Sequence, residues 1–309
     1  MLSGFAALIF GANWLVDGAS SLARKHKISD LVIGLTIVAF GTSAPELVVN
    51  SIASFDGHSE IVLGNVIGSN NFNLFMILGI AGLIYPISVQ SSTVWWEIPI
   101  SLLSGISLLI MGNWFLGDIL EISRVEGAIL FLCFAGFLYY VFKQMKKEEK
   151  SVASYQQKSN FKIWGFIVLG LAGLVLGGQL VVDNGIQIAT TLGVSEKIIG
   201  LTIIAAGTSL PELVTSVVAA FKKNSDIAIG NVVGSNIFNI LFILSVSSFI
   251  HPIAFNPNFN IDILILLAGT LVLFIAMFIG KKHQLERWQS ALLLSFFVAY
   301  TTYLVWKEL

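Results

Sequence analysis

Two glutamates stand out in this sequence because each lies in the middle of a long apolar segment. Glu46 and Glu212 are the only acidic residues near the centres of such segments, and each ends the pattern Gly-Thr-Ser-x-Pro-Glu. A charged side chain at that depth costs at least about 2.5 kcal/mol on membrane-insertion scales, so it marks a candidate functional site. The hydroxyl residues that precede the two glutamates are Thr42, Ser43, Thr208 and Ser209. Carboxylate and hydroxyl oxygens are hard ligands of the kind that Ca²⁺ prefers, so the pattern predicts a cation site.

The proline in each pattern should interrupt its helix just before the glutamate. Pro45 and Pro211 have no N–H, and their rings clash with the carbonyl groups four residues back, at Gly41 and Gly207. We therefore expect a break or kink that leaves backbone carbonyl oxygens available as further ligands. The sequence places no cysteine or histidine beside this pattern, which argues against a zinc or copper site.

A second pair of matching segments can complete the oxygen set. Residues 64–70 and 230–236 share the pattern Gly-Asn-x-x-Gly-Ser-Asn, whose small-xxx-small spacing lets helices approach closely. Such spacing taken alone would indicate helix packing only. In each copy, however, a serine and an asparagine four positions apart fall on the same helix face. These residues are Ser69, Asn73, Ser235 and Asn239, and their oxygens add ligands without adding charge.

All of these patterns belong to one internal repeat. Residues 28–55 align without a gap to residues 194–221 at an offset of 166, with 16 of 28 positions identical. At the same offset, residues 64–79 match residues 230–245, with 10 of 16 identical. Polar residues matched in register indicate duplication of a whole unit, because similar hydrophobic composition alone would not align them.

The offset also pairs two aspartates, Asp17 and Asp183. Each lies nearer to the end of its apolar segment than the glutamates do. At such a position, a solvated or helix-capping role is at least as well supported as contact with an ion.

Composition predicts the class of fold that must position these residues. Hydrophobic residues make up 56% of the 309 residues and charged residues only 11%, whereas soluble domains carry roughly 25% charged residues. Ten apolar segments approach the length of about 20 residues that spans a bilayer. We place them near 2–23, 31–54, 61–84, 95–112, 119–142, 163–189, 196–220, 227–250, 259–279 and 288–306. Because backbone polar groups must be satisfied inside a bilayer, the predicted fold is an all-α integral membrane protein with ten transmembrane helices.

A polar stretch at 143–162, with six lysines, divides the chain into halves of five spans, 1–142 and 163–309. With both termini extracytoplasmic, 14 of the 17 basic residues fall in inner loops, so we expect this orientation in the plasma (inner) membrane and a cytoplasmic linker. Since five is odd, the second half must enter the membrane from the opposite side. The sequence thus predicts inverted repeats, an architecture typical of transporters with a midplane site between the repeats.

The paired segments GTSxPEL and GNVxGSNxFN resemble the two α-repeats of the sodium/calcium exchanger family, prokaryotic type, within the calcium/cation antiporter superfamily. The resemblance covers essentially the whole chain. It implies a core of the second, third, seventh and eighth helices, across which long first and sixth helices slide. It also implies the cation ligands Thr42, Ser43, Glu46, Ser69, Asn73, Thr208, Ser209, Glu212, Ser235 and Asn239, with the carbonyl groups of Ala39 and Ala205.

One position departs from a common pattern of this family. Some members, prokaryotic and potassium-dependent exchangers among them, carry aspartate where this chain has Asn239. The predicted site then holds two formal negative charges, which one Ca²⁺ would neutralise and three Na⁺ would exceed by one. This count fits electrogenic exchange and disfavours potassium co-transport. Protons are a less favoured coupling ion, because proton/calcium exchangers of the superfamily usually carry Gly-Asn-x-x-Glu instead.

The predicted function is secondary active exchange of Ca²⁺ for Na⁺ at a single, alternately exposed site. We expect no enzymatic activity, no cofactor and no nucleic-acid partner. We expect the protein to act as a monomer in the lipid bilayer. A proton- or potassium-coupled cation exchanger is the alternative within transport, and a passive cation channel is an alternative of another class. An intramembrane enzyme is disfavoured because no mid-membrane histidine or aspartate stands ready to act with Ser43 or Ser209.

Overall fold

The protein is almost entirely helical in the computed structural model, which describes residues 2–114, 120–145, 159–191 and 205–308. In chain order, the helices are α1 (Leu2–His26), α2 (Asp30–Thr42), α3 (Ala44–Phe55), α4 (Ser59–Ile84), α5 (Thr93–Asn113), α6 (Arg124–Met145), α7 (Asn160–Thr191), α8 (Ala205–Thr208), α9 (Leu210–Phe221), α10 (Ser225–Ile250), α11 (Pro257–Ala276) and α12 (Arg287–Glu308).

Within the described residues, seven helices are long and apolar enough to cross a membrane: α1, α4, α5, α6, α7, α10 and α11. The pair α2 and α3, bent by 46° at its break, makes an eighth span when it is counted as one. These helices confirm the prediction of a helical membrane protein. The first part of the predicted span 196–220 lies outside the described residues. Helix α12, at the predicted span 288–306, is not among the helices that pass this test, so the total of ten stays a prediction.

The predicted linker 143–162 lies mostly outside the described residues. Helix α6 continues to Met145 and α7 begins at Asn160, so residues 143–145 and 160–162 of the predicted linker are helical, whereas Ser159 is not. Helical structure reaches into these polar ends because each continues an apolar helix and needs no new nucleation.

Two helices, α4 and α10, form the centre of the bundle. Of the residues in the most apolar stretch of each helix, 72% are buried in α4 and 94% in α10, against 28% in α7. Helix α10 packs against α2 and α9, while α4 packs against α3 and α9. The two helices that carry the Gly-Asn-x-x-Gly-Ser-Asn pattern therefore pack against the helices that carry the glutamates.

Short strands close the two ends of the bundle. Each pair is antiparallel: β1 (Ile87–Ser88) with β4 (Gln284–Leu285), and β2 (Glu121–Ile122) with β3 (Ile253–Ala254). The Ala254 N–H donates to the Ser59 hydroxyl at the start of α4, at 3.0 Å, whereas β1 follows the end of α4. Because α4 is about 39 Å long at 1.5 Å per residue, the two strand pairs lie at opposite ends.

Helices α1 and α7 lie side by side in very close contact, which small residues permit. A Cβ atom added at Gly170 of α7 would lie 2.7 Å from the Leu15 nitrogen, and one added at Gly11 of α1 would lie 2.8 Å from the Gly170 carbonyl oxygen. Both distances are far shorter than a carbon atom tolerates. Close backbone approach at small residues is a recurrent way to pack membrane helices, since lipid supplies no hydrophobic drive between them.

Replacement of Gly170 by alanine should therefore destabilise the α1–α7 contact by about 1–3 kcal/mol through overpacking. We expect a lower midpoint of thermal unfolding for the detergent-purified Gly170→Ala protein. The matched control is Gly165→Ala on the same helix, where an added Cβ meets no atom within 4 Å. Its midpoint should stay equal or rise slightly, because alanine favours helix. Equal destabilisation by the two variants would contradict the close-contact interpretation.

Candidate cation-binding site

The site is built around two helix breaks. Ser43 separates α2 from α3, and Ser209 separates α8 from α9. The backbone angles agree closely at the two breaks, with φ −82° and ψ 8° at Ser43 and φ −90° and ψ 8° at Ser209. Pro45 and Pro211 lie in the first turn after each break, where a missing N–H costs no helical hydrogen bond. The structure thus has a break at each predicted position.

Each glutamate lies in the first turn of the helix that follows its break and faces the opposite half of the chain. Glu46 and Glu212 are both only 1% exposed. The Ser43 hydroxyl donates to Glu212 Oε1 at 2.9 Å, and the Ser209 hydroxyl donates to Glu46 Oε1 at 3.0 Å. These reciprocal bonds bring the two patterns, which are far apart in sequence, into one place. In both carboxylates the other oxygen, Oε2, is buried and has no hydrogen-bond partner.

The serines of the central helices complete this inner group. Ser235 Oγ of α10 lies 3.0 Å from Ser43 Oγ and 3.4 Å from Glu212 Oε1. Ser69 Oγ of α4 lies 3.0 Å from Ser209 Oγ. Four serine hydroxyls and two carboxylates therefore form a cluster of oxygens in which each half of the chain contributes to the other half's glutamate.

The asparagines of α4 and α10 form a second group, in which each amide is oriented by a neighbour. Asn73 Nδ2 donates to Asn236 Oδ1 at 3.1 Å, and Asn239 Nδ2 donates to Asn70 Oδ1 at 2.9 Å. Asn70 and Asn236 also each donate to the other's backbone carbonyl at 3.3 Å. These bonds fix the orientation of the Asn73 and Asn239 amides. The Oδ1 atom of each is buried and has no hydrogen-bond partner.

Besides Asn70 and Asn236, four further residues that are not among the predicted ligands adjoin the site. Asn65 donates to the Thr208 hydroxyl at 3.1 Å, while the Thr42 hydroxyl donates to Asn231 Oδ1 at 3.0 Å. The remaining two, Asn50 and Ser216, contact these asparagines. Asn65 and Asn231 could have been found, since both stand in the repeated Gly-Asn pattern. Asn50 and Ser216 differ between the halves, and no sequence signal marks them.

The side chains predicted as ligands all lie in the centre of the bundle. The structure places eight of the ten predicted side chains in these two groups: Ser43, Glu46, Ser209, Glu212, Ser69, Ser235, Asn73 and Asn239. Thr42 and Thr208 lie beside them, bonded to Asn231 and Asn65. The Ala39 carbonyl accepts the Ser43 N–H at 3.0 Å and lies 3.3 Å from the Thr42 hydroxyl. Ala205 opens α8. The role of all twelve as ligands stays a prediction.

The two aspartates of the repeat lie elsewhere. Asp17 of α1 forms an ion pair with Lys222 at 2.9 Å, and both side chains are partly exposed. Asp183 of α7 is exposed. The solvated or helix-capping role of the two aspartates stays a prediction.

The electrostatics of the inner group favour a cation. Two carboxylates lie in a protein interior, and among the described residues no basic side chain forms an ion pair with either of them. A buried charge without a counter-charge is costly, so buried carboxylates pair with cationic groups or coordinate metals. Four buried oxygens without partners belong to Glu46, Glu212, Asn73 and Asn239. Such oxygens can receive an ion without first breaking a hydrogen bond.

Fold and site together define a helical membrane protein with an oxygen-lined, electronegative centre between two broken helices. The family described as "Sodium/calcium exchanger protein" matches residues 1–143 and 162–306. The chain therefore belongs to the sodium/calcium exchanger family, as its α-repeat patterns predicted. This membership confirms the prediction of a membrane antiporter that transports ions, calcium among them. The related proteins are transporters and not enzymes.

Relatives and solved structures match over nearly the whole chain. The putative antiporter CaxA of Alkalimonas amylolytica is 37% identical over 97% of this chain and 96% of its own length. The sodium/calcium exchanger MaX1 of Methanosarcina acetivorans is 32% identical over 97% and 96%. A structure of the sodium-calcium exchanger NCX_Mj, soaked with Na⁺ and Sr²⁺, superposes with a TM-score of 0.83 at 32% identity over 96% of this chain and 95% of that chain.

Neutralising one glutamate should stabilise the cation-free protein and remove its response to calcium. In Glu212→Gln one buried charge is absent, so we expect the unfolding midpoint without ions to equal or exceed that of the native protein. At 100 times its Kd, Ca²⁺ should stabilise the native protein by about 2.7 kcal/mol and so raise its unfolding midpoint. The midpoint of the variant should not change. Thermal unfolding with and without Ca²⁺ measures both effects.

The control for this experiment is Glu60→Gln. Glu60 is an exposed glutamate that accepts a hydrogen bond from Asn256 at 2.9 Å, far from the buried pair. This variant should keep the native response to Ca²⁺. A Glu212→Gln protein that is destabilised without ions and still responds to Ca²⁺ would show that the cation binds elsewhere.

Proposed function

We propose that the protein is a secondary active antiporter that exchanges Ca²⁺ for Na⁺ by alternating access at a single site near the membrane midplane. The observation that carries this proposal is the reciprocal pairing of Glu46 and Glu212 with the serines of the opposite half, which leaves one unpartnered oxygen on each carboxylate. Related proteins named as sodium/calcium exchangers, MaX1 and NCX_Mj, support the choice of ions.

The proposed cation ligands are the ten predicted side chains in the centre of the bundle, with the carbonyl groups of Ala39 and Ala205. Ca²⁺ takes about six to eight oxygens, and this set offers more than that number of carboxylate, hydroxyl, amide and carbonyl oxygens. A surplus suits a site that holds either one divalent ion or several Na⁺ ions in turn. Transport itself requires no resident cofactor in this proposal.

The proposed architecture is ten helices arranged as two inverted repeats, 1–142 and 163–309, joined by the linker 143–162. The matched angles at Ser43 and Ser209 support a repeat, as does the reciprocity of the contacts around them. Inversion would present the same site alternately to the two sides of the membrane. Since all the proposed donors come from one chain, we propose that the monomer is the functional unit.

Loop contacts support the proposed orientation, with both termini extracytoplasmic in the plasma membrane. Lys223 lies over the Tyr85 ring at 6.0 Å, and Gln90 donates to Asp226 at 2.7 Å. The strand pair β1–β4 joins the same end of the bundle to residues 284–285. The basic loops around Lys222–Lys223 and Lys281–Arg287 thus both contact the loop at 85–92, so all three loops lie at one end of the bundle. The basic residues of two of these loops favour the cytoplasmic side for that end.

The charge count supports electrogenic exchange. Two carboxylates are balanced by one Ca²⁺, whereas three Na⁺ would leave a net positive charge to cross with the site. Asn239 contributes no charge, which disfavours potassium co-transport. A proton- or potassium-coupled exchanger remains the alternative within transport, and a passive channel is the alternative of another class.

Purified protein in Na⁺-loaded liposomes should take up radiolabelled Ca²⁺ when the outside is Na⁺-free, because outward Na⁺ flow drives exchange. We expect Glu212→Gln to abolish this uptake, while Glu60→Gln keeps it. Replacing the Na⁺ gradient by a pH or K⁺ gradient should give no uptake. Uptake driven by either of those gradients alone would favour the alternative coupling ion, and uptake with no counter-gradient would indicate a channel.

Voltage clamping should accelerate the same uptake if more positive charge leaves than enters. With equal K⁺ on both sides, valinomycin lets K⁺ enter and cancels the interior-negative potential that such exchange builds. We expect a higher initial rate of Ca²⁺ uptake with valinomycin than without it. The identical K⁺ concentrations in both arms separate a voltage effect from any requirement for K⁺, and equal rates would indicate electroneutral exchange.

A further inference from the structure

The two halves of the site differ at a buried polar pair beside the glutamates. Asn50 of α3 corresponds to Ser216 of α9 at the repeat offset of 166. Each lies four residues after its glutamate, one helical turn away, and both are completely buried. Asparagine carries its N–H donors and its acceptor oxygen on different atoms, whereas the single oxygen of serine both donates and accepts.

In the first half, Asn50 determines how the next asparagine is oriented. Asn50 Nδ2 donates to the Glu46 backbone carbonyl and to Asn65 Oδ1, both at 2.7 Å. A carbonyl oxygen can only accept, so the amide nitrogen of Asn50 must point this way. Asn65 then turns its oxygen to Asn50 and its amide nitrogen to Thr208, where it donates to the hydroxyl oxygen at 3.1 Å.

In the second half, the same chain of contacts has the opposite polarity. Asn231 Nδ2 donates to the Glu212 backbone carbonyl at 3.2 Å and to Ser216 Oγ at 3.0 Å. Asn231 therefore turns its oxygen towards Thr42. The Thr42 hydroxyl now donates to Asn231 Oδ1 at 3.0 Å, where its counterpart Thr208 accepts.

This difference changes what each threonine can offer to a cation. Thr208 has one lone pair engaged by the Asn65 amide. Thr42 uses its hydrogen, and within the described residues its oxygen accepts no hydrogen bond, so both of its lone pairs can face an ion. Donating also polarises the hydroxyl oxygen towards negative charge, whereas accepting does the reverse.

We infer that Asn50 and Ser216 are positioning residues that make Thr42 a stronger Na⁺ ligand than Thr208. This inference rests on the proposed function, since it assigns the two threonines to the exchanged ion. The two halves of the site are nearly symmetric, but one buried residue in each half gives its threonine a different hydrogen-bonding role. Neither residue contacts the ion; each acts through the asparagine of the neighbouring helix.

Exchanging the two residue types should shift Na⁺ affinity in opposite directions. In Asn50→Ser, Asn65 can turn its oxygen to Thr208, as Asn231 does to Thr42, so Na⁺ should bind more tightly. In Ser216→Asn, Asn231 should turn its amide to Thr42, so Na⁺ should bind more weakly. The measurement is the Na⁺ concentration that displaces half of the radiolabelled Ca²⁺ bound to purified protein. We expect it to change by roughly two- to tenfold in each direction, the range for one neutral hydrogen bond.

Opposite shifts are a signature that damage to the fold cannot produce, because damage would weaken binding in both variants. Ser54→Ala, which removes a buried hydroxyl from the same helix as Asn50, serves as the control and should leave displacement unchanged. If Ser216→Asn fails to fold, Asn50→Ala should still tighten Na⁺ binding like Asn50→Ser, because it also releases Asn65.

Suppose that Na⁺ displaces Ca²⁺ from the native protein, but the two variants shift in the same direction or do not shift. This result would overturn the inference and leave the proposed function standing. Weaker Na⁺ binding in Asn50→Ser and Asn50→Ala would overturn the inference equally. Native protein whose bound Ca²⁺ is not displaced by Na⁺ at any concentration would instead overturn the proposed function, and the inference with it.

Discussion

Two carboxylates buried without a basic partner are the constraint on which the rest of this structure depends. Glu46 and Glu212 are almost completely buried, and the hydrogen bonds that they accept come from neutral serine hydroxyls. Neutral donors offset part of the cost of desolvation but do not supply a positive charge. In the proposed function, an ion that enters and leaves supplies the missing positive charge. A lysine or arginine in the same place would neutralise the carboxylates permanently and would compete with that ion.

The fold meets this constraint by interrupting helices instead of lining a pore with loops. Breaks at Ser43 and Ser209 place each glutamate in the first turn of a helix, where the positive end of the helix dipole favours a negative charge. The central helices α4 and α10 are mostly buried, so their serines and asparagines face protein and not lipid. Close glycine contacts between α1 and α7 place another tightly packed helix pair beside this core.

Near-symmetry with local exceptions is the second theme of the site. The serine–glutamate bonds are reciprocal to within 0.1 Å, at 2.9 and 3.0 Å, so the two halves treat the carboxylates alike. The threonines differ: Thr208 accepts a hydrogen bond and Thr42 donates one. The cause is that Asn50 and Ser216 orient the amides of Asn65 and Asn231 in opposite directions. A duplicated unit can keep its main ligands and still acquire two unequal ends through one buried substitution in each half.

The sequence by itself determined the class of fold, the repeat, the helix breaks and ten of the side chains that meet in the centre. These features are local: they follow from apolar segment length, from proline chemistry and from residues matched at one offset. Only the tertiary structure decided which oxygens remain without partners and which way Asn65 and Asn231 point. Their partners, Thr208 and Thr42, lie 143 and 189 positions away in the chain, and packing alone brings them together. An amide looks the same in either orientation until its neighbours in space are known, which is why no pattern in the sequence singled out Asn50 or Ser216.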